Sequence, residues 1–291
     1  MSHVKLFDKA VIIRISLTSF GLSRRLNPEL LGVDSRVSPR MLRLNKILLE
    51  SDLLVQISEL DGEIRRFVAS QCLLSNLFKG GAYLCPLGLV SSVDESLRDY
   101  YRKRNRLVEE LVSQYDNLKE RVKVKLGPLY NADDYPSKAV FHYSYSMKWY
   151  YMEIEAPHRF LNNDFIKRFD EAIREEIESV RLGLREAFSS LVSHLTDRLG
   201  SKPDGSRKKF KDATIDNLVE FISLFKHKNI TDDNDLESLV SKAESILSGI
   251  DPETLRSSDN TRNILCRQFK KLQGKLDSLI ESVPSRKITI E

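Results

Sequence analysis

Residues 140–157 read VFHYSYSMKWYYMEIEAP, and how this stretch folds decides the fold class. Six aromatic residues fall within the eleven positions from Phe141 to Tyr151. In an extended chain Phe141, Tyr143, Tyr145, Met147, Trp149 and Tyr151 point to one side, and His142, Ser144, Ser146 and Lys148 to the other. That is the two-residue period of a strand, so a strand is predicted over 140–154. A base-stacking platform for nucleic acid would also show clustered aromatics, but it needs interleaved Lys and Arg. Only His142 and Lys148 are basic here, and Lys148 faces away from the rings. The row is therefore read as core packing, each ring burying roughly 150–250 Å². A partner-binding groove is the other use such a row could serve.

Outward from this strand the chain is mostly helical. On its N-terminal side Val93, Leu97, Tyr100, Leu107, Leu111, Tyr115, Leu118 and Val122 repeat at threes and fours, which predicts a helix over 92–126. Ser92 and Glu95 have the spacing of a capping box, and Gly127-Pro128 stops the helix. On the C-terminal side Ile166, Phe169, Ile173, Ile177, Val180, Leu184, Phe188, Leu191 and Leu195 predict a second long helix over 162–199. Further upstream, AVIIRISLTSF (10–20) alternates as a strand. NPELLG (27–32) reads as one helical turn, SPRMLRLNKILL (38–49) as either helix or strand, and 51–72 as a helix. FKGGAYLCPLG (78–88) is a hairpin-like break. GSKPDGSRKK (200–209) is the best linker, and shorter helices follow at about 211–227, 233–248 and 261–282, with Gly249 as a C-cap and a strand-like tail, VPSRKITIE.

The expected architecture is an α-dominated α+β protein. Two long antiparallel helices form a coiled-coil-like rod, with a small sheet at one end and a C-terminal helical module. The expected divisions are a domain at 1–200, a linker at 201–209 and the module at 210–291.

Composition sets the partner classes. The 291 residues include 46 basic and 42 acidic side chains, a net charge of +4, which is too balanced for a chain basic throughout. Cys72, Cys85 and Cys266 are odd in number and never at zinc spacing, so a disulfide framework or structural metal is not expected and a cytoplasmic location is. No window approaches the roughly 18 apolar residues of a membrane span, so no membrane association is expected.

No catalytic, cofactor or metal site is expected. His3, His142, His158, His194 and His227 never come at metal spacing, and no HExxH, GxSxG or glycine-rich phosphate loop occurs. Cys72 reads as a core residue, Asp133-Asp134 is an isolated acidic pair, and TDDNDLE (231–237) reads as a helix cap rather than a calcium loop. The basic residues are the remaining candidates for contact with a partner or nucleic acid. RDYYRKRNR (98–106) places Arg98, Arg102 and Arg106 on one helical face. Lys103 and Arg104 belong to the same run, but Arg104 lies about 160° from Arg106, so the patch wraps the helix more than it forms one stripe. SRKKFK (206–211) contributes Lys208 and Lys209. Asp94 precedes Arg98 by four and Arg106 precedes Glu110 by four, so ion pairing within the helix is the alternative to phosphate binding.

Several stretches taken in order carry a resemblance: VIIRISLTSFGLSRRLNPELLG, FKGGAYLCPLGLV, YYRKRNRLVEELVSQYDNLKE, VFHYSYSMKWYYMEI, FKDATIDNLVEFISLFKHKNITDDNDLESLV and PSRKITIE. Their order resembles a bacterial and phage family known as domain of unknown function 3150. Members are often encoded beside AAA+ ATPases of the MoxR type and proteins with von Willebrand A domains, on phages and mobile elements. The resemblance implies a non-enzymatic adaptor or structural subunit with an AAA+ ATPase or a von Willebrand A protein as partner. The alternative is a nucleic-acid-binding protein of a mobile element.

Overall fold

The apolar stripes become helices that form two separate cores. A computed structural model describes residues 4–26, 43–77, 80–153, 163–200, 208, 213–250 and 258–281. The chain is an α-dominated α+β protein. Its elements run α1 (Val4–Phe7), β1 (Ala10–Thr18), β2 (Ser23–Arg25), β3 (Asn45–Ile47), α2 (Asp52–Gln71), β4 (Leu73–Leu74), β5 (Ala82–Pro86) and α3 (Val90–Leu126), then α4 (Lys138–Ser144), β6 (Ser146–Met152), α5 (Asn163–Leu199), α6 (Ala213–Lys228), α7 (Asn234–Leu247) and α8 (Asp259–Glu281). One unit, built on α5, comprises Met1–Ile12, Gln71–Leu89 and Met152–Glu291; the other, built on α3, comprises Ile13–Ser70 and Val90–Tyr151.

In the α5 unit, Ile173, Val180, Leu184, Phe188, Val192, Leu195 and Leu199 make a stripe at helical spacing. That stripe is buried against Leu218, Ile222 and Phe225 of α6 and Leu265, Phe269, Leu272 and Leu276 of α8. Phe188 stacks on Phe221 with ring centroids 5.3 Å apart. Polar side chains tie the same helices. Arg262 Nη2 donates to the Arg198 carbonyl at 2.9 Å, satisfying one of the open acceptors at the C-terminus of α5. Gln273 Nε2 donates to Ser189 Oγ at 2.7 Å. Gly249, at φ 78°, supplies the left-handed residue that ends α7. β4, β5 and the start of β1 pair in that order, with Leu73 opposite Leu84 and Leu74 opposite Tyr83.

In the α3 unit, Val108, Leu111, Tyr115, Leu118 and Val122 face Leu53, Leu54 and Ile57 of α2, together with Phe20, Leu48, Leu49, Phe141 and Tyr145. Tyr115 stacks on Phe141 at 4.0 Å, and its hydroxyl donates to the Pro136 carbonyl at 2.9 Å, so the one polar atom of a buried ring is satisfied. The rest of β1 pairs with β6, and β2 with β3 in an antiparallel ribbon (Arg24 opposite Lys46). Lys46 reaches from that ribbon to Asp134 at 2.6 Å, which places the second aspartate of the acidic pair in an ion pair within the chain.

Three expectations change. First, residues 138–144 are helical, and only 146–152 form a strand. Ser137 starts the helix by accepting the Val140 amide. Positions 141 and 145 share a side in both a helix and a strand, because four residues is nearly one helical turn and also an even number. Phe141 and Tyr145 are buried either way. Tyr143, which a strand would bury, is 83% exposed.

Second, the long helices fall in different units, and the long partner of α5 is α8 rather than α3. Third, the division does not fall at the linker, because α6, α7 and α8 share one core with α5. α3 also begins at Val90, ahead of the Ser92 box. The helical turn at 27–32, residues 38–42 of the stretch 38–49, Lys209 and the tail lie outside the described residues, as does the linker except Gly200 and Lys208.

Candidate protein-interaction surface

The RDYYRKRNR stretch lies on α3, and its five cations meet different fates. Arg104 turns inward and is fully buried: Nε donates to Asp61 Oδ1 at 2.6 Å, and Nη2 donates to Asp61 Oδ2 at 3.2 Å and to the Thr18 carbonyl at 2.8 Å. Arg98 pairs with Asp94 at 2.7 Å, four residues earlier, as the spacing implies. Arg102 pairs with Asp99. Lys103 lies over the Tyr100 ring, 5.7 Å from its centroid. Arg106 is exposed and makes no ion pair with Glu110. In the other unit, Lys208 pairs with Asp197. The expected contact residues therefore do not form one cationic stripe.

What the structure does assemble is an aromatic group beside two of those arginines. Trp149 on β6 is half-buried, and its indole Nε1 donates to Asp94 Oδ1 at 2.7 Å. Tyr101 of α3 meets the indole edge-on at 6.1 Å and stays exposed. The Arg98 and Arg102 side chains beside them are 69% and 68% exposed. The Trp149 indole N–H, and then Arg98, hold the Asp94 carboxyl below its usual value against the opposing effect of burial. Asp94 is thus a fixed anion that orients a tryptophan and an arginine at once. The sequence marked Arg98 and Arg102 but took Trp149 for a core residue. The signal that placed it at the surface was present in Asp94, which could reach β6 only across a tertiary contact.

Clefts open among the described residues of the α5 unit. One, of about 410 Å³, is lined by Asn76, Leu77, Glu175, Glu176, Ser179 and Leu182. Its buried Glu176 already accepts the Asn76 amide at 3.0 Å, so that carboxylate is committed to holding a loop. Another, of about 450 Å³, is lined by Lys9, His227, Asn229, Asp232 and Glu237 among others, and a Lys9–Asp232 ion pair at 2.5 Å lies across it. His227 rests on Gly88, where an added Cβ would come within 2.6 Å of Nδ1. Asp233 caps α7 by accepting the Leu236 amide at 3.2 Å, and the acidic run it belongs to serves the helix end. Among the described residues no group of three or more His, Cys, Asp or Glu is placed to hold a metal ion.

Comparison with known proteins finds no family model, no curated protein and no solved structure that matches this chain. The functional reading therefore rests on the chain's own residues. Charge is unevenly divided between the units: the α3 unit holds 20 of the 46 basic and 16 of the 42 acidic residues, so the whole net charge of +4 resides there. The surface around Trp149 belongs to the cationic unit. No described helix is long and apolar enough to cross a membrane.

Proposed function

We propose that the protein is a non-catalytic protein-binding subunit that docks an acidic partner on the Trp149 surface of the α3 unit. The observation that carries this reading is the half-exposed Trp149, oriented by Asp94 and Tyr101 and flanked by Arg98 and Arg102. Trp, Tyr and Arg are the residue types that dominate interface energetics. A ring already fixed in its bound orientation loses little conformational freedom on docking. The +4 charge of this unit favours an acidic partner. The family resemblance adds a partner class, an AAA+ ATPase of the MoxR type or a von Willebrand A protein, in a phage or mobile-element system.

Nucleic acid is the competing occupant. A phosphate at Arg98 or Arg102 would have to displace Asp94 or Asp99, which the favourable intrachain geometry opposes. The test is binding of the full chain to a purified MoxR-type ATPase and, separately, to duplex DNA. Trp149→Ala should weaken the protein complex by roughly 2 kcal/mol or more. Arg102→Glu should weaken it too, with DNA affinity unchanged at about 150 mM salt. The reading fails if neither substitution affects the protein complex. It also fails if Arg102→Glu lowers DNA affinity tenfold or more with a shallower salt slope.

A further inference from the structure

Two of the three cysteines face each other inside the α5 unit. β4 and β5 are antiparallel, with Leu73 opposite Leu84 and Leu74 opposite Tyr83. One more step of that register sets Cys72 directly opposite Cys85. Opposed residues in an antiparallel pair have Cα atoms about 4.5–5.5 Å apart. That lies within the roughly 4.4–6.8 Å a disulfide spans. Both thiols are free and buried, and the Cys85 thiol is directed at the Pro86 carbonyl at 3.8 Å. Cys266 sits apart on α8, its thiol directed at the Thr196 carbonyl at 3.8 Å. Lys228, at the end of α6, is close enough for its charge to act on the Cys72 sulfur.

We propose that Cys72 and Cys85 form a dithiol oxidation site, which a peroxide converts into a cross-strand disulfide. The facing Cys72 lowers the Cys85 thiol against the opposing effect of burial, while Cys85 and burial push the Cys72 thiol up. Cys85 is therefore the attacking sulfur. It takes one peroxide oxygen to become a sulfenic acid as the O–O bond breaks, and the other oxygen leaves as hydroxide and collects a proton. The Cys72 sulfur then attacks the Cys85 sulfur. The S–O bond breaks, and the oxygen leaves as water with the Cys72 proton. With hydrogen peroxide the two thiols give up two electrons, and the products are one disulfide and two waters.

Access follows from β4, a two-residue strand at the edge of its sheet, which can open without breaking a long ladder. Once formed, the disulfide fastens that edge to β5.

The test is hydrogen peroxide treatment of the full chain, followed by thiol alkylation and peptide mass spectrometry. A peptide linked through Cys72 and Cys85 should appear while Cys266 remains alkylatable after unfolding, and a reductant should reverse the link. The oxidised chain should melt roughly 5–10 °C higher, as closing a loop of this length does. Three results would overturn the proposal. One is separate over-oxidation of either thiol. Another is a link through Cys266 or to a second chain. The third is two reduced thiols at a dose that already converts the exposed Met152 to its sulfoxide.

Discussion

Arg104 and Asp61 lie 43 residues apart and meet as a buried two-point pair, with Nε–Oδ1 at 2.6 Å and Nη2–Oδ2 at 3.2 Å. The α5 unit repeats the device. Arg185 Nε donates to Asp233 Oδ2 at 2.7 Å and Nη2 to Oδ1 at 3.1 Å, and both residues are buried. In each unit the long helix carries an arginine that clamps the aspartate of another element. Planar guanidinium matches carboxylate geometry at two points, so each pair fixes helix rotation as well as position.

Removing one member of such a pair leaves the other charge buried without compensation, which costs about 3–5 kcal/mol. Asp61→Ala should therefore lower stability of the α3 unit by about that amount in urea denaturation. Asp61→Leu with Arg104→Met should recover most of the loss, short of the Thr18 carbonyl that Arg104 also serves. A single mutant within 1 kcal/mol of wild type, an outcome far below that range, would show the pair to be hydrated rather than buried.

Phe141 and Trp149 test how the aromatic stretch is divided. Phe141 is fully buried between Tyr115, Phe20 and Tyr145, so Phe141→Ala should cost about 3–5 kcal/mol. Trp149 is half-buried and loses chiefly a hydrogen bond to Asp94 and an edge contact with Tyr101, so Trp149→Ala should cost roughly 1–2 kcal/mol. Equal losses from the two substitutions would put Trp149 back in the core.

These residues also show what could be read before the structure. The long stripes of α3 and α5 were legible because eight apolar positions in the first and nine in the second repeat at helical spacing. The cap at Asp233 was legible because acids precede an apolar run. The break at Ser144 was not, since Phe141 and Tyr145 satisfy both periods at once. Nor was the partner of α5. An amphipathic stripe says that a helix is covered, not by what, and α3 and α8 offer α5 stripes of the same chemistry. Arg104 sat in a basic run like its neighbours, and only the packing of α2 against α3 brings Asp61 to it.

Acid should act on the Asp233 clamp. Burial alone would raise the Asp233 carboxyl, but the Arg185 hydrogen bonds and the Leu236 amide outweigh it and hold it below the ordinary 3.8. A depressed carboxylate contributes stability that is present above the unfolded value and lost as pH falls through the lower folded one. The stability difference between wild type and Asp233→Asn should therefore stay constant from neutral pH down to 3.8 and shrink below it, as read from urea midpoints. A difference that shrinks between neutral pH and about pH 5 would assign the acid sensitivity to another group.

Alkali should act on the other unit. Burial pushes the hydroxyls of Tyr115 and Tyr145 up to about 12 each, from an ordinary value of 10.0. A tyrosine raised in the folded state holds its proton where the unfolded chain has lost it. Its contribution is therefore complete below the unfolded value and disappears as pH rises through the folded one. Titration followed by tyrosinate absorbance should show Tyr115 and Tyr145 holding their protons until about 12, as a late rise. Tyr115→Phe should remove part of that late rise and lose the hydrogen bond to the Pro136 carbonyl, at a cost of about 1–2 kcal/mol near neutral pH. A late rise of the same size in Tyr115→Phe would mean that Tyr115 loses its proton well before about 12. The stack on Phe141 would then be open to water, and the α3 core would have to be drawn without it.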